Sequence, residues 1–216
     1  MNKKNSGQGL IEMIVALGII IVGVIGSLSL SVVALSSSRE SETRVIAANL
    51  AREGIEVARN IRDSNWLAGC PDEEVEAELY NWDSEPAGCY QWDTGLKGET
   101  LTPNTAIATF DPNNGKWSLN FEAVDIDDEI TQFFIIDGVY IQTTAPPEGL
   151  AGVSFYRLIT LKNICLDDDG VEIIKEEDCQ EATETKIGIE VSSHIRWSEH
   201  SRVHNLTAQD RLYDWR

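Results

Sequence analysis

The chain lacks the common signatures of catalysis. Its 216 residues contain no GxSxG elbow, no HExxH pair, no Walker loop and no GxGxxG turn. Those absences remove the usual sequence routes to nucleophilic hydrolysis, zinc proteolysis and nucleotide binding. Basic residues are scarce as well, with 17 Lys and Arg against 36 Asp and Glu and a formal net charge of −19. Affinity for a phosphate backbone comes from Lys and Arg, so nucleic acid is not expected as a partner of the main domain. The acid surplus reads as a solvated, self-repelling surface. No cofactor is expected and no enzymatic activity.

Proline is absent before Pro71, and charge is absent from Met13 to Ser38. The uncharged stretch makes roughly 39 Å of helix at 1.5 Å per residue, enough to cross a bilayer. Lys3 and Lys4 precede it, so the positive-inside rule keeps the N-terminus cytoplasmic and exports the rest. Gly18, Gly23 and Gly26 lie inside the span and would let another helix approach closely in lipid. A cleaved signal peptide is the alternative, but its apolar core should be about 7–15 residues. The Val33-Ala34-Leu35-Ser36 stretch is a poor cut site.

After Ser38 the pattern becomes one-sided. Val45 or Ile46, Ala47, Leu50, Gly54, Val57, Ala58 and Ile61 recur at helical spacing among Arg and Glu, as in a helix that packs one face on a domain. The expectation is one helix from about Gly9 to Asp63. From Trp66 the pattern shortens and alternates. Strands are expected over 116–122, 153–166, 186–197 and 201–212, with a hairpin over 133–143 turning at Asp137-Gly138. Residues 70–104 read as a turn-rich loop, with one short helix near 73–80.

CxxC spacing is missing too. The cysteines, at 70, 89, 165 and 179, fall into two local pairs around acidic loops. Disulfides Cys70–Cys89 and Cys165–Cys179 are the simplest of three connectivities and imply an oxidising compartment. Four thiols in a cytosolic protein is the competing reading.

Glu12 is the residue out of place. A carboxylate at the edge of a bilayer core is costly unless it is paired. A free α-amine at the same depth would pair it if the chain began a few residues upstream. A cut after Gly7 makes Gln8 the first residue and Glu12 the fifth; a cut after Gly9 makes Glu12 the third.

A short Lys-bearing leader ending in Gly, followed by an apolar helix with Glu fifth, resembles the N-terminal signature of type IV pilin-like proteins. The family pattern is Gly, then Phe-Thr-Leu-Ile-Glu. Here it reads Gly7, then Gln8-Gly9-Leu10-Ile11-Glu12, so Gln8 and Gly9 depart from it while the rest match. The run EMIVALGIIIVGVIG is similar to the first helix of minor pilins and of minor pseudopilins of type II secretion. The pieces SFYRLITL and IRWSEHSRVHNL are similar to the closing strands of such proteins.

The resemblance implies cleavage after Gly7 by a prepilin peptidase, N-methylation of Gln8, and assembly through the helix with Glu12 paired to a subunit's N-terminal amine. It implies a structural subunit, a minor pilin, of a type IV pilus-like filament. The alternative is a minor pseudopilin of a type II secretion system; a membrane-anchored binding module or enzyme is a more distant one. The expected organisation is a leader, 1–7, a transmembrane and assembly helix, 8–63, and a β-rich head, 64–216. The fold class is α+β, a long helix packed against a mostly antiparallel sheet. Expected partners are the peptidase, other pilin or pseudopilin subunits and membrane lipid. The location is a single-pass cell membrane protein with its head exported, then an extracellular or periplasmic filament.

Two groups remain as ligand candidates. His194, His200 and His204 share parity, so one unbroken strand would place them on one face, where zinc is imaginable. A break near 198–201 would destroy that alignment. Asp167, Asp168 and Asp169 sit beside Gly170, and Asp125, Asp127, Asp128 and Glu129 form a second acidic run. Calcium takes such ligands, and some pseudopilins bind calcium. Neither run has the order of an EF-hand loop. Solvated acidic turns are the commoner reading, and no metal is assigned.

Overall fold

The structure is a computed structural model that describes residues 8–68, 91–97, 104–145, 149, 152–180, 182–199 and 201–214. The chain divides into two compact units, Met1–Val45 and Ile46–Arg216. One helix, α1 (Gln8–Ala68), contributes to both. The layout is α+β, with a long N-terminal apolar helix and a mostly antiparallel sheet.

In the first unit every residue from Gly9 to Glu42 is exposed. In the second the same helix becomes one-sided. Ala47, Leu50, Ala51, Gly54, Ile55, Val57 and Ala58 are buried, while Val45 is 59% exposed, so the packed stripe takes in Ile46. The helix runs five residues past the expected end at Asp63 because those residues find tertiary partners. Asn65 Nδ2 donates to the carbonyls of Trp92 (3.1 Å) and Thr94 (2.8 Å), and Trp66 is buried, with the Arg62 guanidinium one helical turn back 4.3 Å from its ring centroid.

Among the described residues eight strands follow: β1 (Thr105–Asp111), β2 (Lys116–Asn120), β3 (Phe134–Ile136), β4 (Val139–Ile141), β5 (Phe155–Asp167), β6 (Glu172–Lys175), β7 (Glu184–Glu199) and β8 (Arg202–Tyr213). The main sheet has the order β2-β1-β5-β7-β8, with β6 also paired to β5, and every pairing is antiparallel. Strands β3 and β4 form a separate hairpin. Asp137 and Gly138 both have positive φ, 53° and 82°, as a two-residue type I′ turn requires. β5 and β7 pair from Phe155↔Trp197 onward, with a bulge at Ile164/Cys165 that sets Ile187 aside. The Ile187 carbonyl accepts from Asp214 N at 2.8 Å, one rung beyond the Gly188↔Tyr213 pair of β7 and β8.

Alternation along these strands builds the core. Phe155, Ile159 and Leu161 of β5 lie beside Trp197, Ser193 and Val191 of β7, and they pack with Ala47, Leu50, Ala51, Ile55, Val57 and Ala58 of the helix. On the opposite face Leu158 joins Ile107, Ala123 and Ile126 in a smaller cluster. Charge reinforces the helix contact: Arg59 pairs with Glu56 and with Asp210 of β8. Segment 91–97 is held by buried Leu96 and by Lys186 Nζ donating to Asp93 Oδ2 at 2.6 Å.

Two details fix how near the helix lies to the sheet. A Cβ on Gly54 would meet Ser193 Oγ at 2.6 Å, Ser193 Cβ at 3.2 Å and Arg157 Cδ at 3.3 Å, so only hydrogen fits there. Arg157, on the same face of β5, is 1% exposed. Its Nη1 donates to the helical carbonyl of Leu50 (3.0 Å), its Nε donates to Gln142 Oε1 (2.8 Å), and it lies over the Phe133 ring at 4.8 Å. Gln142 Nε2 in turn donates to the carbonyls of Thr131 (2.6 Å) and Arg157 (2.9 Å).

Gly54→Ala should therefore lower stability by about 1–3 kcal/mol, the cost of overpacking a tight core. Ser193 Oγ is buried without a hydrogen-bond partner, so Ser193→Ala should be neutral or stabilising and should return part of the Gly54→Ala loss. Thermal melts of the two single variants and the double variant check this; strictly additive losses would contradict the contact.

Acidic turns carry a second expectation. The Asp128 carboxylate accepts from the backbone N–H groups of Asp125 (2.9 Å) and Val124 (2.6 Å), which hold it below the usual carboxylate range. Lys175, and then the Gln180 N–H, do the same for Glu184. A depressed folded-state pKa contributes stability above the unfolded value, and that contribution is lost as pH falls through the folded value. An Asp128→Asn/Glu184→Gln variant should thus melt below the unaltered protein at pH 7, with the gap closing below about pH 4. A gap that is constant from neutral to acid pH would contradict the assignment.

Candidate functional site

The expected site begins at the N-terminus. Gly7 lies outside the described residues. Gln8 is the first helical residue, and its side chain is likewise outside the description. Glu12 lies in the first turns of the helix, exposed, four residues from Gln8. An i,i+4 spacing brings two positions to the same face of a helix, one turn apart. The carboxylate therefore shares a face with residue 8.

Beyond Glu12 the helix presents apolar side chains on all sides. Leu17, Val22, Ile25, Leu30, Val33 and Leu35 are each at least half exposed, and a Cβ on Gly9, Gly18, Gly23 or Gly26 would meet nothing within 4 Å. A helix apolar all round is normally buried in protein or lipid. Two of its hydroxyls are satisfied internally: Ser27 Oγ donates to the carbonyl of Val24 and Ser31 Oγ to that of Ser27, each at 2.9 Å. Backbone and hydroxyl groups bonded within one segment meet the requirement that lipid imposes on a spanning element. Among the described residues this one helix is long and apolar enough to cross a membrane. That is compatible with a single-pass membrane anchor.

The cysteine readings divide. Cys165 and Cys179 form a disulfide, with Cα atoms 5.7 Å apart; Cys70 and Cys89 lie outside the described residues. The bridge ties the start of the β5–β6 hairpin to the segment that leads into β7. Glu184 lies close enough for its carboxylate and the two sulfurs to fall within 4.8 Å of one another. With the sulfurs bonded to each other, no thiolate is present to bind a metal. The Glu184 carboxylate instead pairs with Lys175 and accepts from Gln180 N at 2.8 Å.

The calcium candidates have local employment. Asp167 Oδ1 accepts from Asp169 N (3.0 Å) and Val171 N (2.7 Å), and its carbonyl accepts from Gly170 N (3.0 Å). Gly170 has φ 77°. Asp167 thus organises the β5–β6 turn, and Asp168 and Asp169 are exposed. In the other acidic run Asp127 pairs with Arg196, and Asp128 ties its own turn.

The histidines are separated. The chain reverses between β7 and β8, with Ser201 at φ 61°, so parity no longer predicts a shared face. His204 is paired with Trp197 and stacks on it at 5.1 Å, on the helix-facing side. His194 lies on the opposite face, its Nε2 3.2 Å from Asn205 Oδ1. His200 lies outside the described residues.

The structure adds a site that the sequence pattern did not single out, around buried Arg157. A cavity of about 400 Å³ is lined by Glu53, Ala108, Phe110, Pro112, Trp117, Val139, Tyr140, Ile141, Gln142 and Arg157. Only the unusual position of an arginine in the apolar run SFYRLITL hints at it.

No family model, curated protein or solved structure matches the chain. The long apolar helix and antiparallel sheet are compatible with a pilin-like fold, and function is argued from the residues alone.

A variant without the bridge, Cys165→Ala/Cys179→Ala, should lose about 3 kcal/mol, the loop-closure value for a separation near 15 residues. The unaltered protein should lose a similar amount on reduction. Denaturant melts with and without reductant check both, and reductant should leave the double variant's melt near its own unreduced value apart from any effect at the other two cysteines.

Proposed function

We propose that this chain is a structural, non-enzymatic subunit, a minor pilin, of a type IV pilus-like filament. In this reading a prepilin peptidase cuts after Gly7 and methylates Gln8. The apolar helix then passes from the membrane into the filament core, while the sheet domain stays outside. Partners are other subunits of the same filament.

One observation carries the reading: a carboxylate, Glu12, heads a helix that is exposed and apolar all round up to Ser38 and becomes one-sided only from Ile46. Such a surface needs either lipid or the helices of other subunits. In either setting Glu12 needs a cation, because an unpaired buried charge costs several kcal/mol. The new α-amine at residue 8 is one turn away in sequence, and the amine of a neighbouring subunit offers the same charge. The pairing works as an assembly check, since a subunit out of register leaves two charges uncompensated. The Cys165–Cys179 bridge supports export, because disulfides persist in oxidising compartments.

The test is direct. Intact mass and N-terminal sequencing of membrane-derived protein should show loss of Met1–Gly7 and one added methyl on Gln8. Glu12→Ala should insert in the membrane normally but enter filaments at least about tenfold less well, corresponding to ~1.4 kcal/mol. An uncut chain, or equal incorporation of the variant, would overturn the reading.

A further inference from the structure

The cavity beside Arg157 arises from a fork in the sheet. β1 and β5 are paired at Thr105↔Thr160 and Ala106↔Ile159 and then part. Past that point the edge of β5 is taken over by Gln132, bridged to Tyr156, and by Phe133 N donating to the Phe155 carbonyl. The Arg157 carbonyl, where the next β1 contact would fall, is taken by the Gln142 side chain. The space left in the fork is the cavity of about 400 Å³, within the range of sites that hold small organic ligands. Phe110 (43% exposed) and Val139 (59% exposed) stand at its rim, and Trp117 and Tyr140 line it.

The wall is mostly apolar, its polar members are Glu53, Gln142 and Arg157, and the Arg157 cation is only loosely compensated. Arg157 spends Nη1 and Nε on protein acceptors, and no acceptor for Nη2 is found among the described residues. Glu53 Oε2 stands 3.6 Å from Nη1, beyond a normal hydrogen bond, and its side chain is a third exposed. Burial pushes the guanidinium down to about 10, and Glu53 offsets only part of that. It stays charged at neutral pH, and a buried charge whose one counter-ion stands off and is partly exposed is one that a ligand can satisfy more closely.

We propose that this fork binds a small apolar carboxylate, with the carboxylate on Arg157 and an aromatic or aliphatic body between Phe110, Trp117 and Tyr140. The bond is charge-assisted and made in a water-poor site, where such pairs are strongest. The neutral amide of the same ligand forfeits it. Glu53 competes for the guanidinium, so its charge holds affinity down. The inference does not rest on the filament reading.

The experiment uses the full chain in phosphatidylcholine nanodiscs free of fatty acid, with empty discs as the blank. Calorimetric titration with 3-phenylpropanoate should show saturable binding, and 3-phenylpropanamide should bind about tenfold or more weakly. Glu53→Gln should tighten the acid and leave the amide unchanged. Val139→Trp, at an exposed position that closes the rim, should abolish binding of the acid without lowering the melting temperature. Equal affinity for acid and amide, undiminished binding by Val139→Trp, weaker acid binding by Glu53→Gln, or no binding at millimolar acid would each overturn the proposal. Arg157 is left unaltered because it also holds the helix to the sheet.

Discussion

The sheet domain depends on how closely the helix approaches β7. At Gly54 the helix backbone comes against Ser193 with room for a hydrogen and no more. That proximity lets small and branched residues on either side, Ala47, Ala51, Ala58, Ile55 and Val57, mesh with β5 and β7. It also brings the Leu50 carbonyl within reach of Arg157. A helical carbonyl already accepts one intrahelical bond and keeps a second lone pair, so the guanidinium can bind it without opening the helix. The packing and the buried charge are thus two results of one distance.

The helix changes character along its length with no change in backbone structure. Up to Ser38 it is apolar on every side; from Ile46 it has a buried stripe and an outward face of Arg and Glu. Ser27 and Ser31 bond back to the carbonyl three or four residues earlier, so they add polarity without adding unmet donors. Where one sequence pattern stops and the other starts is where the chain divides into its two units.

Much of this was legible from periodicity. The one-sided helix, the Asp137-Gly138 hairpin and the long strands β5, β7 and β8 follow from local pattern and turn chemistry. β1 was not, because TAIATFD is short and alanine-bearing and looks weak by strand propensity; its place depends on partners elsewhere in the chain. β6, EIIK, was hidden in an acidic stretch that reads as loop. The helix ran past Asp63 because Asn65 meets the carbonyls of residues 92 and 94, contacts that no local rule foresees. Glu12 was legible because its cost is local, a charge among apolar residues. Arg157 was not, since an arginine in a strand ordinarily reads as solvent-facing, and only the register with Ile195 turns it inward.

The Cys165–Cys179 bridge makes the β5–β6 hairpin part of a closed covalent ring. Its turn is acidic, and Asp168–Gly170 are exposed, the kind of loop tip at which proteases cut. A single cut there leaves both ends tethered, one through β5 and the other through the sulfurs. The strands keep their register, and the nicked molecule migrates as one chain until it is reduced. Damage at this exposed turn of the sheet is in that sense silent while the surroundings stay oxidising.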